Sequence, residues 1–323
     1  MKGKILNLMM LCLLLPLKAM AVAEGVTIKN YVYAEKDGQR LTLDVYNDPS
    51  ITTYAKKPVF IFSFGGGWEG GNRHAGHALL TDMAEEGYIA IGIDYRLYIQ
   101  QVKKSAEGLT RRNFAESYAT AIQMGVEDLF DATAFVIAKA EEWKADTSIV
   151  VISGCSAGAI NSATAEYLIC NDHPMATSRL PQGFNYRAVV PFAGGIWLTD
   201  CKELTWKRRP CPYVAFHGTS DELVPYDFAT IGEGKFSTFG PAHYMQQLEE
   251  MQVPYMFHTY VGDTHGIAGF YDKRWARQEM KNALARMIWW NEKICLRIND
   301  ARYDRTHVDR TLEDGLRKMG MKE

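Results

Sequence analysis

The stretch Ile149-Val150-Val151-Ile152-Ser153-Gly154-Cys155-Ser156-Ala157-Gly158-Ala159-Ile160 decides how this chain is read. The apolar run Ile149 to Ile152 has the length and character of a buried strand, and the small residues from Ala157 onward open a helix. Between them Ser156 sits in the frame Gly154-x-Ser156-x-Gly158. A strand that turns at once into a helix brings its two arms into backbone contact. The flanking positions must then be small, and the serine hydroxyl is lifted clear of the sheet. Ser156 is therefore the candidate nucleophile, and the rest of the chain is searched for what a serine needs.

The surroundings of that stretch set the fold class. Thr27 to Tyr33 and Leu41 to Tyr46 alternate around Asp37-Gly38, which predicts an antiparallel hairpin. Apolar runs follow at Pro58–Phe64, Tyr88–Ile93, Arg187–Phe192, Pro212–Phe216 and Pro254–Tyr260. They alternate with helical patterns at Ala78–Glu86, Asn113–Trp143, Gly240–Met251 and Trp275–Ile298. Gly125 is expected to break the second of these helices, and Tyr98 to Arg112 to form a polar surface excursion. Continuous apolar strands alternating with helices indicate an α/β fold: a mainly parallel central sheet with helices on both faces and an N-terminal antiparallel hairpin. No boundary divides residues 24–323, which are read as one domain, and the charged tail after Asn299 is expected to pack loosely.

The N-terminus carries a different signal. Lys2 and Lys4 precede an apolar run from Ile5 to Leu17, and Ala19-Met20-Ala21 and Ala21-Val22-Ala23 both fit a small-residue cleavage site. Residues 1–23 read as a secretory signal peptide, which predicts an exported protein, periplasmic or secreted. The apolar run is short for a membrane span and is interrupted by Pro16. Cleavage there removes Cys12 and leaves five of the six cysteines, so at least one thiol stays free. Cys155 is the expected free one, and Cys201 and Cys211 bracket a short loop as a candidate pair. A net charge of -2 over 323 residues, with 47% hydrophobic residues, gives no basis for nucleic acid as a partner. No paired-cysteine spacing suggests a metal or a redox centre, and neither metal nor cofactor is expected.

A serine hydroxyl needs a base, a group that orients the base, and donors for the developing oxyanion. His265 follows a strand within Gly262-Asp263-Thr264-His265-Gly266 and can hang over the sheet edge. His217 ends a strand and is expected to pack against a backbone carbonyl. Asp221, one strand-helix-strand unit before His265, is the candidate orienting acid. Glu222, Asp227 and Asp263 lie nearby, and Asp263 reads as a turn residue. The Ala157 N–H comes with the elbow. The glycines after the Pro58–Phe64 strand allow Gly66 and Gly67 to approach a ligand as further donors. Trp68 and Trp197, each beside a glycine turn, are candidate walls of the substrate pocket.

Taken in order, Phe64-Gly65-Gly66-Gly67-Trp68, Asp94-Tyr95-Arg96-Leu97, the elbow, Gly218-Thr219-Ser220-Asp221 and Gly262-Asp263-Thr264-His265-Gly266 resemble the esterase/lipase group of α/β-hydrolases. That group includes hormone-sensitive-lipase-like carboxylesterases and secreted bacterial acetyl and feruloyl esterases. The resemblance covers nearly all of the chain after residue 23. It implies Ser156 as nucleophile, His265 as base, Asp221 as its orienter, and Gly66, Gly67 and Ala157 as the oxyanion hole. It implies Asp94 and Arg96 as a structural element near the glycine loop. Two positions depart from it: Phe64 stands where a histidine usually precedes the glycines, and Cys155 where an aspartate usually precedes the serine. The expected substrates are small-molecule or polysaccharide esters with small acyl groups, acetyl or feruloyl among them. A serine peptidase of prolyl-oligopeptidase type, or a non-catalytic binding protein on the same scaffold, are the alternatives. The sequence leaves the oligomeric state open.

Overall fold

A computed structural model describes residues 25–231, 236–301 and 312–318. The expected signal peptide lies outside them. The strands are β1 (Thr27–Lys36), β2 (Gln39–Asn47), β3 (Lys57–Ser63), β4 (Ile89–Ile93), β5 (Ala145–Cys155), β6 (Ala188–Phe192), β7 (Ile196–Thr199), β8 (Tyr213–Gly218), β9 (Phe228–Ile231), β10 (Phe236–Phe239), β11 (Tyr255–Tyr260) and β12 (Cys295–Asp300). Nine form one sheet in the order β1-β2-β4-β3-β5-β6-β8-β11-β12, and β7, β10 and β9 form a small antiparallel sheet. β1 pairs antiparallel with β2, and β2 antiparallel with β4. From β4 onward all pairings in the large sheet are parallel.

Helices on both faces bury the sheet, so β3, β4, β6, β8 and β11 have no exposed residue and their runs read apolar throughout. Because parallel strands share a direction, the loops after β3, β5, β8 and β11 all emerge at one edge. Those loops carry the glycine triplet, Ser156, Asp221 and His265.

Several expectations need correction. Gly125 does not break its helix, which runs unbroken over Phe114–Ala138. Its missing side chain instead makes room for Asn161, whose amide would lie 2.6 Å from a Cβ at that position. The Tyr98–Arg112 segment lies at the surface as expected, with Ile99 alone buried, but it is not a plain loop. It begins with a helix, Tyr98–Lys104, that docks on the glycine loop through Gln100 N–H to the Trp68 carbonyl (3.2 Å) and Lys103 to Glu69 (2.6 Å). The closing helix stops at Leu284 and widens into a π turn over Ala285–Trp289. The chain then takes a left-handed residue at Asn291 and adds β12 to the sheet edge. Beyond it, the helix Leu312–Lys318 packs its Gly315 against the Glu222 carbonyl, so that part of the tail is docked. Cys201 and Cys211 are not joined. All five described cysteines are free thiols, because Cys211 is turned into the core, its N–H bonded to Glu166 Oε1 (2.8 Å), while Cys201 bonds to the Glu203 carbonyl.

Candidate active site

Ser156 sits at the turn between β5 and the helix Ala157–Cys170 with φ 50° and ψ −120°. A non-glycine residue held there carries strain of order 1–3 kcal/mol. Three contacts hold the turn. Ser156 N–H donates to the Phe192 carbonyl of β6 (2.9 Å), Gly154 lies against the Gly158 backbone, and Gly158 lies against the Ser63 and Phe64 carbonyls at the end of β3. A Cβ at either glycine would overlap backbone, which is the physical content of the motif. The neighbouring Cys155 is no rival nucleophile, since burial pushes its thiol up to about 12.

The histidine and the acid come from the loops after β11 and β8. His265 Nδ1–H donates to Asp221 Oδ2 (2.8 Å), with Oδ1 at 3.0 Å, and the Ser156 hydroxyl donates to His265 Nε2 (2.8 Å). The Asp221 side chain is fully buried, and its Oδ1 also accepts N–H bonds from Leu223 and Val224, both 2.9 Å. Burial alone would raise this carboxyl. The charge of His265 and hydrogen bonds from His217 and His265 outweigh it and hold the group well below the usual carboxylate range. His217 packs as expected, its Nε2 at 2.9 Å from the Val224 carbonyl, and it also stands 3.4 Å from Asp221 Oδ2. Asp227 lies beside His243 (3.5 Å), and the Asp263 carbonyl accepts the Ser220 N–H as part of the turn.

The glycine loop lies directly over the elbow. A Cβ on Gly65 would come 2.9 Å from the Cys155 carbonyl and 3.1 Å from Ser156 Cβ. Gly66 and Gly67 have φ of 113° and 62°, and the Gly66 carbonyl accepts the N–H groups of Glu69 and Gly70 to close the turn. Neither the Gly66 nor the Gly67 N–H donates to a carbonyl among the described residues. Ala157 opens its helix, where the first N–H groups have no partner within the helix. These are the three donors singled out from the sequence; Ala157 follows Ser156 directly, and the loop that carries Gly66 and Gly67 meets the elbow at Gly65.

Phe64, in place of histidine, has a definite role in the loop. Its ring stacks on Tyr95 at 4.3 Å and 16°, and the Tyr95 hydroxyl donates to the Phe64 carbonyl (2.8 Å). Asp94 and Arg96 fasten the same segment. Asp94 accepts from Arg73 N–H (2.9 Å) and Arg73 Nη1 (2.8 Å), and Arg96 pairs with the buried Asp128. Trp68 and Trp197 correct an expectation: they are 1% and 4% exposed and pack with Tyr118 in a solid aromatic wall, offering no open pocket surface. Sequence reasoning missed Asn161, to whose Oδ1 the Trp68 indole donates (3.1 Å). The signal for it was a lone asparagine in an otherwise small and apolar helix opening. No three His, Cys, Asp or Glu side chains among the described residues group as a metal ion would require.

No protein-family model matches the chain. Esterase 2 of Thermogutta terrifontis, phosphoramylated by tabun, aligns with a TM-score of 0.61 over 83% of this chain and 96% of its own, at 19% identity. Its propionate-bound form aligns at 0.59 with 18% identity and the same coverage. The chain has the α/β-hydrolase fold. Two Mycobacterium tuberculosis proteins are similar in sequence. Esterase LipC is 28% identical over 173 residues, 52% of this chain and 38% of LipC. The probable carboxylic ester hydrolase LipM is 28% identical over 158 residues, 49% of this chain and 32% of LipM. The chain thus matches about a third of the length of these relatives.

Proposed function

We propose that this α/β-hydrolase is a serine carboxylesterase. One observation carries the reading: the relay from Ser156 Oγ to His265 Nε2 and from His265 Nδ1 to Asp221, each step 2.8 Å, beside a glycine loop whose Gly66 and Gly67 N–H groups donate to no carbonyl among the described residues. The names of its relatives, an esterase and a carboxylic ester hydrolase, support the same class. In this reading Ser156 gives its proton to His265 and attacks the ester carbonyl. The oxyanion accepts from Gly66, Gly67 and Ala157 N–H. His265 then protonates the departing alcohol. Water, deprotonated by His265, attacks the acyl-enzyme, and the proton returns to Ser156 as the carboxylic acid product leaves. Asp221 stays ionised and holds the imidazole in one tautomer.

Small acyl esters are the proposed substrates, with acetyl or feruloyl groups on plant polysaccharide as the favoured class and with the protein exported. The propionate-bound form of the Thermogutta esterase supports the small-acyl part. The test is a turnover panel of p-nitrophenyl esters of rising chain length beside acetylated xylan, methyl ferulate and a p-nitroanilide amide, with Ser156→Ala as control. Turnover of short esters or xylan, lost in the variant and absent on the amide, is the expected result. No ester turnover together with no fluorophosphonate labelling of Ser156 would sink the reading. A preference for long acyl chains would remove the substrate class, and labelled but non-hydrolytic protein would favour a binding role. Export is checked separately by sequencing the N-terminus of the protein recovered outside the cytoplasm, expected after Ala21 or Ala23.

A further inference from the structure

Three consecutive residues of the glycine loop lie in the left-handed region: Gly66 at φ 113°, Gly67 at 62° and Trp68 at 56°. Only Trp68 has a Cβ, so it alone bears a steric penalty there, and such a conformation persists when its surroundings over-determine it. Those surroundings are aromatic rings and one buried amide. The Trp68 ring is buried edge-on to Tyr118 (5.7 Å, 86°) and beside Trp197 (6.3 Å). Its one polar atom, Nε1, donates to Asn161 Oδ1 at 3.1 Å. Asn161 is itself fully buried on the helix that begins immediately after Ser156.

The other end of the Asn161 amide makes a stability role a poor explanation. Its Nδ2 is buried and has no hydrogen-bond partner among the described residues, a cost that offsets what its Oδ1 gains by accepting the Trp68 indole N–H. The neighbouring helix also carries a glycine in its interior at Gly125, unfavourable for a helix, where any Cβ would come 2.6–2.9 Å from the Asn161 amide atoms. Two locally unfavourable residues are thus retained to bring one carbonyl oxygen to the Trp68 indole.

We propose that Asn161 is a positioning residue for the oxyanion loop, acting through the Trp68 indole. The inference rests on the esterase reading of the site. One helix then bears the nucleophile at its start, the Ala157 donor in its first turn, and the anchor of the loop that presents Gly66 and Gly67. Nucleophile and oxyanion donors are held in register by a single rigid element, in a loop whose entry is Phe64 stacked on Tyr95 rather than a histidine. Asn161 touches neither substrate nor reacting atoms; its effect is on where two N–H groups point.

The test is a double-mutant cycle of Asn161→Leu and Trp68→Phe, with kcat expressed per Ser156 titrated by a fluorophosphonate. Asn161→Leu exchanges one unpaired buried N–H, that of Asn161 Nδ2, for another, that of Trp68 Nε1, so its melting temperature is expected within a few degrees of wild type. Its kcat is nevertheless expected to fall about 10- to 100-fold, the scale of a misplaced or lost oxyanion donor. KM should stay within about threefold, because ground-state binding is not affected. Affinity for a phenylboronic acid, which forms a tetrahedral adduct on serine, should fall in parallel with kcat/KM. The pH dependence of kcat/KM should not move, because the His265–Asp221 pair is untouched. The double variant should be no worse than the worse single one. Wild-type kcat in Asn161→Leu overturns the proposal, as does a loss that only tracks titratable sites or melting temperature. Wild-type protein inert on every ester overturns the esterase reading itself, a result distinct from both.

Discussion

Asp221→Asn isolates the orienting role of the acid because the local hydrogen bonds dictate how the new side chain must sit. Asp221 Oδ1 accepts the Leu223 and Val224 N–H groups, each at 2.9 Å. An asparagine can satisfy those two donors only by placing its carbonyl oxygen there. Its NH2 then takes the Oδ2 position, 2.8 Å from His265 Nδ1 and 3.4 Å from His217 Nε2. Two donors cannot face each other at 2.8 Å, so His265 must accept at Nδ1 and carry its proton on Nε2. That proton points at Ser156 Oγ, 2.8 Å away, and the serine loses its base. A wrong tautomer of this kind costs about 10⁴ in kcat, which is about 5.4 kcal/mol of transition-state stabilisation. The fold should survive, because the two backbone bonds to Oδ1 are kept. The assay is kcat on p-nitrophenyl acetate beside a thermal melt. Activity within about tenfold of wild type in a folded variant would refute the tautomer argument.

Four further outcomes follow from the same structure. The Asp221 carboxyl is depressed on folding, so its contribution to stability is complete above about pH 4 and is lost as pH falls toward the folded value. The urea midpoint of wild type should therefore fall in acid, and that of a variant lacking this carboxylate should fall less. Glu166 is the opposite case: burial raises it, so stability falls as pH rises above about 4.3. Glu166→Gln keeps an acceptor for Cys211 N–H and should gain on wild type between pH 4 and neutrality; a gap that does not change with pH would contradict this. Arg96→Ala leaves Asp128, wholly buried, with Lys36 as its remaining cation, and should cost about 3 kcal/mol in urea melts, near the lower end for a broken buried pair. Gly158→Ala drives a Cβ into the Ser63 and Phe64 carbonyls; about 1–3 kcal/mol of overpacking is expected, with Ser156 displaced and esterase activity lost.

Much of this fold is legible in the sequence because its central strands are buried on both faces. Runs such as Val59-Phe60-Ile61-Phe62 announce themselves without any knowledge of their neighbours. The errors fall where a local pattern competes with a tertiary one. Gly125 reads as a helix breaker by propensity, yet the packing of its helix against Asn161 outweighs that cost. Cys295-Leu296-Arg297-Ile298 continues a helical pattern on paper, but the open edge of β11 offers backbone hydrogen bonds that the isolated segment cannot reveal. Cys201 and Cys211 are close in sequence, and Glu166 draws Cys211 away into the core. Trp68 and Trp197 stand beside glycine turns, and nothing in those turns tells that the rings meet each other and Tyr118 inside the protein.

The division follows from the range of the forces. The sequence by itself determined the strand-turn-helix around Ser156, the order of the loops that carry Ser156, Asp221 and His265, and the parallel sheet that gathers them at one edge. Sterics over a few residues and hydrophobic periodicity suffice for these. Only the tertiary structure decided that Tyr95 supports Phe64, that His217 shares Asp221, and that Asn161 holds Trp68. Each of those is a directional contact of about 3 Å between groups 4 to 93 positions apart. Such a contact exists only once the packed core has fixed both partners, and no local pattern encodes it.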